Sequence, residues 1–318
     1  MLQTIDRAAF SSHTHTLSHH TLEGQVGNTP LLSLARIAEA AGVSPRVRLF
    51  AKAEWFNPSG SVKDRPALNI IRTAEREELL RPGMTLLDST SGNMGIAYAM
   101  LGTARGYGVR LVVPESVSPE RIAVLRAYGV DLVLTDALEG VDGALQVARS
   151  LAAEDADVFY ANQYDNPANW RAHYDSTANE IWKQTGACIT HFVTGLGTSG
   201  TFMGTTRRLR ELDPAITAIA LQPEAAFNGI EGMKHMATAI RPAIFDESEP
   251  DDVRIVRTEE AYAMARRLAR EQGVFVGASA GANVAGALAV AAELDEGVVV
   301  TVLPDSGFKY LSERFWQE

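Results

Sequence analysis

A run of glycines and hydroxyl residues at positions 195–201 is the first segment of this sequence whose composition suggests chemistry. It reads Gly-Leu-Gly-Thr-Ser-Gly-Thr, between an apolar stretch that predicts a strand and a segment that predicts a helix. Glycines let a ligand approach the backbone closely, and the free N–H groups of a helix start, together with hydroxyls, suit a phosphate. A turn that serves packing alone does not need three hydroxyl residues, so phosphate binding is favoured over a turn without a ligand.

The same run also satisfies the GxGxxG pattern of dinucleotide-binding sites. Glu224 ends the next predicted strand, where an acidic residue could bind a ribose. The segment alone therefore leaves open whether the ligand is a nucleotide or a single phosphate group.

A second polar segment, at 88–95, reads Asp-Ser-Thr-Ser-Gly-Asn-Met-Gly and again lies between a predicted strand and a predicted helix. Its hydroxyl and amide donors at a helix N-terminus suit a second anion, such as a substrate carboxylate. On chemistry alone, a polar helix cap is an equally good interpretation.

Two further segments each contain one residue that could react with or face a cofactor. The stretch 57–65, Asn-Pro-Ser-Gly-Ser-Val-Lys-Asp-Arg, has Lys63 where a turn leads into a helix. Most lysines are solvated surface charges, but near a phosphate-bearing aldehyde a desolvated lysine can form a Schiff base and later transfer protons. The small-residue turn 277–282 contains Ser279, which either caps a helix or faces a ring nitrogen.

The elements that must position these segments alternate between strands and helices from residue 45 onward. The strands are predicted at 47–51, 85–87, 110–113, 130–134, 191–194, 217–221 and 298–303. The helices are predicted at 66–78, 95–104, 202–212, 259–271 and 282–294, with another that Ser118 caps and Gly129 ends. Such alternation predicts an α/β fold of mainly parallel sheets covered by helices. The long irregular stretch 228–252 either lines a site entrance or wraps the surface.

Composition excludes several classes of function. A net charge of −10 in 318 residues gives no support for nucleic-acid binding. One cysteine, Cys188, excludes an internal disulfide framework and a cysteine-based zinc site, and the apolar residues after it favour a buried structural thiol over a nucleophile. No HExxH spacing occurs, and no metal site is predicted.

Targeting signals are equally scarce. No apolar run approaches the ~20 residues that span a bilayer, and 2–22 lacks the apolar block of a secretory signal. We therefore expect a cytoplasmic protein without a membrane partner. The segment 2–22 is predicted to be a flexible or loosely docked arm, in which the histidines are favoured as solvated polar residues over a metal-binding tract: His13, His15, His19 and His20.

Taken together, the motifs resemble those of one enzyme family. NPSGSVKDR, TSGNMG, GTSGT and GASAGA occur in the order and at the spacing found in cysteine synthases (O-acetylserine sulfhydrylases). The segments 26–31, 163–169 and 304–312 resemble the opening, middle and closing motifs of that family, so the resemblance covers residues 24 to 315. It implies the fold of type II pyridoxal-phosphate enzymes, with the cofactor in a cleft between two domains, formed by 1–50 with 160–318 (larger) and by 51–159 (smaller and mobile).

The resemblance also implies a role for individual residues. Lys63 would hold pyridoxal phosphate covalently, Asn93 would bind its ring hydroxyl and Ser279 its ring nitrogen. The phosphate would be bound by the third motif: Gly197, Thr198, Ser199, Gly200 and Thr201. The substrate α-carboxylate would be bound by the second motif and a glutamine downstream: Thr90, Ser91, Gly92, Asn93, Met94 and Gln163.

The implied reaction is β-replacement, in which L-cysteine is made from an O-activated L-serine, O-acetylserine first, and sulfide. Alternatives are an O-phosphoserine- or thiosulfate-using cysteine synthase, a cystathionine β-synthase, or an inactive homologue that serves as a binding protein. Lys234 is either a cation that receives an anionic leaving group or sulfur donor, as in B-type enzymes, or a solvated loop charge. The family also implies a homodimer and a possible serine acetyltransferase partner.

Overall fold

The computed structural model describes residues 21–90 and 92–317, which form two sheets covered by helices. The larger sheet has the strand order β1-β2-β10-β7-β8-β9 and is parallel except for β1, which runs antiparallel to β2. Its strands are β1 (Leu31–Ser33), β2 (Val47–Ala53), β7 (His191–Gly195), β8 (Thr217–Pro223), β9 (Asp252–Val256) and β10 (Gly297–Leu303). The smaller sheet is wholly parallel, in the order β5-β4-β3-β6. Its strands are β3 (Thr85–Ser89), β4 (Gly108–Pro114), β5 (Asp131–Thr135) and β6 (Val158–Tyr160).

Ten α-helices in the described residues cover these sheets and connect their strands. They are α1 (Ala35–Ala40), α2 (Asp64–Arg76), α3 (Asn93–Ala104), α4 (Pro119–Ala127), α5 (Gly140–Glu154), α6 (Pro167–Ala172), α7 (Ala178–Gln184), α8 (Gly200–Leu212), α9 (Thr258–Arg267) and α10 (Ala278–Ala292). One π-helical turn, His173–Thr177, joins α6 to α7, and a second, Leu268–Gln272, follows α9.

The larger sheet is buried on both faces, as the apolar runs of its strands require. In β10, Val298, Val300 and Val302 point to a core shared with α7 and α8, whereas Val299 and Leu303 point to the core under α1, α9 and α10. This division follows from the two-residue period of a strand. Helix α10 is buried almost all around, because it consists of small and aliphatic residues and packs between the sheet and α9.

The smaller sheet is divided between two faces in the same way. Leu86 and Leu111 contribute to the core with α2, α3 and α4, and Leu87 and Val112 contribute to the core with α5. The predicted α/β class with mainly parallel sheets is therefore confirmed.

Two local predictions require correction. Cys188 is exposed, not buried, because the turn after α7 is still at the surface and the buried apolar run starts one residue later, at Ile189. Ser118 does occupy the N-cap position of α4, but its side chain makes no capping hydrogen bond.

Other expectations concern the ends and loops of the chain. The segment between β8 and β9 is irregular, as predicted. The histidine-rich arm lies outside the described residues. Within them, no helix has both the length and the apolar character needed to cross a bilayer, and no cluster of three or more histidine, cysteine or acidic residues is suitable for a metal ion.

Candidate active site

A cavity of about 390 Å³ lies where strands of both sheets end. The loops that follow β3, β7 and β10 all reach it, because the carboxyl ends of parallel strands share one edge of a sheet. Most of the residues singled out in the sequence line this cavity: Lys63, Thr90, Gly92, Asn93, Met94, Gln163, Gly197, Thr198, Ser199, Thr201, Lys234 and Ser279. Gly200 lies within the same loop but does not line the cavity, and Ser91 lies outside the described residues.

The loop before α8 presents backbone donors that have no internal acceptor. None of the five N–H groups from Gly197 to Thr201 donates a hydrogen bond to a described residue, and no side chain caps α8. Ser199 adopts a left-handed conformation with φ 68°, and its buried hydroxyl has no partner among the described residues. Successive N–H groups at such a turn form an anion-binding concavity. The loop thus fits a phosphate group.

Close contacts explain why two positions of this loop are glycine. A Cβ at Gly200 would lie 1.9 Å from Oδ1 of Asn169, and a Cβ at Gly197 would lie 2.3 Å from the carbonyl oxygen of Gly232. Any side chain at either position would push the loop away from the segment that supports it.

Two residues that sequence reasoning missed support the loop from behind. Asn169 donates to the hydroxyl of Thr198 at 3.1 Å and to the carbonyl of Gln163 at 2.7 Å. His173 contacts the hydroxyl of Thr201 at 3.3 Å through Nε2 and that of Thr177 at 2.9 Å through Nδ1. Burial, assisted by the charge of Arg65, lowers the pKa of His173 to about 3, so the imidazole is neutral near neutral pH.

This histidine should make folding stability depend on pH. Its pKa is lower in the folded chain (about 3) than in the unfolded chain (6.5), so its contribution is present above pH 6.5 and is lost as the pH falls towards 3. We expect the unfolding free energies of the wild type and a His173→Gln variant to converge by on the order of 3 kcal/mol between pH 7 and pH 4. Urea unfolding followed by circular dichroism at fixed protein concentration measures both. A difference in unfolding free energy that stays constant with pH would contradict the lowered pKa of His173.

Lys63 occupies the N-cap position of α2 and lines the cavity. Its amine makes no hydrogen bond or ion pair with any described residue. Burial lowers the pKa of this amine, against the opposing effect of the carboxylates of Asp305 and Glu54. A lowered pKa increases the fraction of neutral amine, which is the form that attacks carbonyl carbons.

A buried ionic network lies directly behind Lys63 and was not expected from the sequence. Arg65 donates to Glu54, which directly follows β2, at 2.7 Å and to Glu180 of α7 at 2.7 Å. Lys52 of β2 adds a second cation, 2.6 Å from Glu180. The network ties the start of α2 to the larger sheet and to α7.

The side chain of Asn93 is held from both sides. Its amide nitrogen donates to Asp305 at 2.6 Å, and its oxygen accepts from Lys309 at 2.7 Å. Tyr310 donates to the same carboxylate of Asp305 at 2.6 Å. Because an amide nitrogen carries two hydrogens, Asn93 keeps one donor for a ligand.

The loop after β3 is braced so that its polar atoms stay available. The hydroxyl of Thr90 accepts from the N–H groups of Gly92 and Gly95, which leaves its own hydrogen for donation. Gln163 donates to the carbonyl of Ser89 at 2.8 Å. Burial raises the pKa of the adjacent Asp88 to about 7, even though the N–H groups of Ser89 and Gln163 donate to it.

Two more side chains complete the cavity wall. Ser279 lies in the first turn of α10, and its hydroxyl makes no hydrogen bond with a described residue. Lys234, in the segment between β8 and β9, has a side chain that is 12% exposed and an ammonium 3.1 Å from Asp142. That ammonium also lies 4.8 Å from the centre of the Tyr164 ring. Glu224, the residue considered for a ribose, is exposed and does not line the cavity.

The fold and this cavity define an α/β protein whose site combines a loop of free backbone donors with a buried lysine. The chain belongs to the family of pyridoxal-phosphate dependent enzymes, since the sequence model of that family matches residues 22–305. It is a pyridoxal-phosphate enzyme, and the loop before α8, Lys63 and Ser279 fit the phosphate, the aldehyde and the ring of that cofactor.

Individual relatives show which members of this family the chain resembles. The chain is 46% identical to a cysteine synthase of Aquifex aeolicus over 306 residues, which are 95% of this chain and 93% of the relative. It is 42% identical to cysteine synthase B of Pseudomonas aeruginosa, over 93% of this chain and 97% of the relative. A crystal structure of cysteine synthase from Entamoeba histolytica is similar with a TM-score of 0.90 and 32% identity, over 99% of this chain and 95% of that one.

Proposed function

We propose that this protein is a cysteine synthase, which makes L-cysteine from O-acetylserine and sulfide by β-replacement. The observation that carries the proposal is the meeting of three groups at one cavity: the amine of Lys63, the donors of the loop before α8, and the polar loop after β3. The similarity to cysteine synthases over more than nine-tenths of the chain supports the same reaction.

In this proposal the cofactor is held at three points. Gly197 to Thr201 bind its phosphate, Asn93 donates to its ring hydroxyl, and Ser279 bonds its ring nitrogen. When bound, pyridoxal phosphate supplies an aldehyde that amino acids can join and a ring that withdraws electron density from them.

The α-carboxylate of the activated serine would bind at the loop after β3. Thr90 and Gln163 supply side-chain donors, and Ser91, Gly92, Asn93 and Met94 contribute the remaining positions of the loop. This anchoring orients the substrate so that its Cα hydrogen faces Lys63. The amine of Lys63 takes the Cα proton as the β-substituent departs, and returns a proton to Cα after sulfide has added to Cβ.

Ser279 determines how strongly the ring withdraws electrons. A hydroxyl at the ring nitrogen leaves that nitrogen mostly unprotonated, whereas a carboxylate would favour its protonation. The weaker electron sink favours prompt loss of the β-substituent over transamination or racemisation.

Replacing Ser279 with aspartate should therefore lower kcat for cysteine formation on the order of 100-fold and increase transamination of the substrate. The Ser279→Ala variant is the matched control, because it removes the hydroxyl without adding charge, and it should lose much less activity. A colorimetric cysteine assay measures the first reaction, and chromatographic detection of the 2-oxo acid that retains the acetyl ester measures the second. If aspartate and alanine have equal effects, ring protonation does not limit this enzyme.

The proposed function as a whole is tested by a substrate panel. O-acetylserine, O-phosphoserine and serine are each offered with sulfide, thiosulfate or homocysteine, and kcat/KM is compared. We expect O-acetylserine with sulfide to give the highest value. Preference for serine with homocysteine would identify a cystathionine β-synthase instead, and no turnover of any pair would favour the inactive homologue.

The cation at the cavity wall supports a second candidate within the same class. Lys234 could receive a phosphate leaving group or a thiosulfate donor, as expected of a B-type enzyme. Its pairing with Asp142 reduces the net charge that an incoming anion meets, which is the reason for placing O-acetylserine first.

We further propose a cytoplasmic homodimer in which residues 51–159 form a smaller mobile domain and 1–50 with 160–318 the larger one. The division is supported by the two sheets, since β3 to β5 fall wholly within 51–159 and β7 to β10 wholly outside it. Strand β2 crosses position 50 and continues to Ala53 in the larger sheet. Serine acetyltransferase is a candidate partner.

A further inference from the structure

An ion pair joins the two sides of the cavity at its wall. Lys234 belongs to the segment that follows β8 of the larger sheet, and Asp142 belongs to the first turn of α5, which covers the smaller sheet. Their charged atoms are 3.1 Å apart, and both residues line the cavity. The Lys234 side chain is 12% exposed, so little water is available to screen its charge.

Further contacts fix both partners in place. The backbone N–H of Lys234 donates to the carbonyl of Leu196 at 2.7 Å, next to the phosphate-binding loop. The second carboxylate oxygen of Asp142 accepts from the N–H of Ile240 at 3.0 Å. The ring of Tyr164 lies against the ammonium. These contacts hold the two charged groups against each other at the cavity wall.

We infer that Asp142 is a specificity-determining residue, which neutralises Lys234 and so makes the cavity select a serine with an uncharged β-substituent over one with a dianionic substituent. This inference rests on the proposed function. An acetyl ester is uncharged when bound, whereas a phosphate ester carries two negative charges. A dianion close enough to be attracted by Lys234 is also close to Asp142, so attraction and repulsion largely cancel. Without the carboxylate, the attraction remains alone.

A second ion pair across the cavity offers a matched control. Arg121 of α4 pairs with Glu231, which lies in the same segment as Lys234 and also lines the cavity. Replacing Glu231 with glutamine weakens a connection between the two sides of the cavity but leaves the partner of Lys234 unchanged. Any effect of Asp142 that comes only from looser closure should appear in this variant as well.

The experiment compares the cofactor-loaded wild type with Asp142→Asn, Lys234→Ala, the double variant and Glu231→Gln. For each, kcat/KM with sulfide is measured for O-phosphoserine and O-acetylserine at one pH and ionic strength. We expect Asp142→Asn to raise the ratio of O-phosphoserine to O-acetylserine about tenfold. The ratio should not rise in the double variant. Glu231→Gln also removes a carboxylate from the cavity lining, but the cation it leaves, Arg121, does not line the cavity, so the ratio should rise less there than in Asp142→Asn. Asp142→Ser supplies the same charge change if the asparagine variant does not fold.

A binding measurement separates this inference from the proposed function. Inorganic phosphate is titrated calorimetrically into the same cofactor-loaded proteins, and its Kd should fall about tenfold in Asp142→Asn but not in the double variant. If no serine derivative is turned over, the proposed function fails and the phosphate titration alone decides the role of Asp142. An unchanged ratio and an unchanged Kd in Asp142→Asn would overturn the inference, as would a rise that persists without Lys234.

Discussion

The Lys63→Ala variant should lose both its covalently held cofactor and its activity. The amine of Lys63 is the group that joins the cofactor and the group that moves the Cα proton, so one substitution removes both roles. General acid–base catalysis alone contributes about 10²–10⁴-fold, and we expect kcat/KM to fall by at least about 10⁴-fold. The long-wavelength absorbance of the purified protein should be lost at the same time.

The chain offers a suitable control for this variant. Lys183 is an exposed lysine in α7 that does not line the cavity, and Lys183→Ala should keep both absorbance and activity. Borohydride reduction of the wild type followed by peptide mass spectrometry should find the cofactor attached to the peptide that contains Lys63. Attachment to another lysine, or a Lys63→Ala protein that still makes cysteine, would refute the assignment.

The second large effect concerns stability, and it comes from the ionic network behind Lys63. Glu54 is fully buried, and although burial opposes its ionisation, the charge and hydrogen bonds of Arg65 lower its pKa to about 2. Replacing Arg65 with methionine would leave this carboxylate and Glu180 without their main partner. Breaking a buried pair from one side costs about 3–5 kcal/mol, and we expect a loss of that size in the unfolding free energy.

The exposure of an ion pair should decide how much unfolding free energy is lost when the pair is broken, so an exposed pair is the control. Arg46 and Glu296 are 3.8 Å apart with side chains that are 66% and 76% exposed. Arg46→Met should cost less than about 1 kcal/mol. The pH dependence of the unfolding free energy is a second test of the buried network. The pKa of Glu54 is lower in the folded chain than in the unfolded chain, so its contribution is present above pH 4.5 and is lost as the pH falls towards 2. Equal losses of unfolding free energy in the two arginine variants would show that the buried network stabilises the fold no more than an exposed ion pair does.

The predictability of individual elements follows from their burial. The strand at 298–303 and the helix at 282–294 are predictable because buried elements carry continuous apolar runs. The structure begins the strand one residue earlier, at Gly297, and moves the helix to Ala278–Ala292. Strand β9 was missed because it is a sheet edge, where Val253 and Ile255 remain 44% and 52% exposed among charged residues. Strand β6 has three residues, too few for a two-residue period to show.

The π-helical turn His173–Thr177 is a different case. Its residues have no composition that distinguishes a π turn from an α-helix, yet it places His173 against Thr201. The supporting role of that histidine could therefore not be read from the sequence. Asn169 is closer to predictable, because it stood in a motif that was recognised without a role.

The sequence by itself determined which residues are candidates to bind and react, because each of the four chemical segments is a turn that leads into a helix and its donors depend on a few neighbouring residues. Only the tertiary structure decided which distant charges would meet. Lys234 pairs with Asp142 across 92 positions, and Arg65 pairs with Glu180 across 115. Those separations are closed by the packing of the two sheets and their helices, and a Coulomb interaction depends on the distance in space rather than on the distance along the chain.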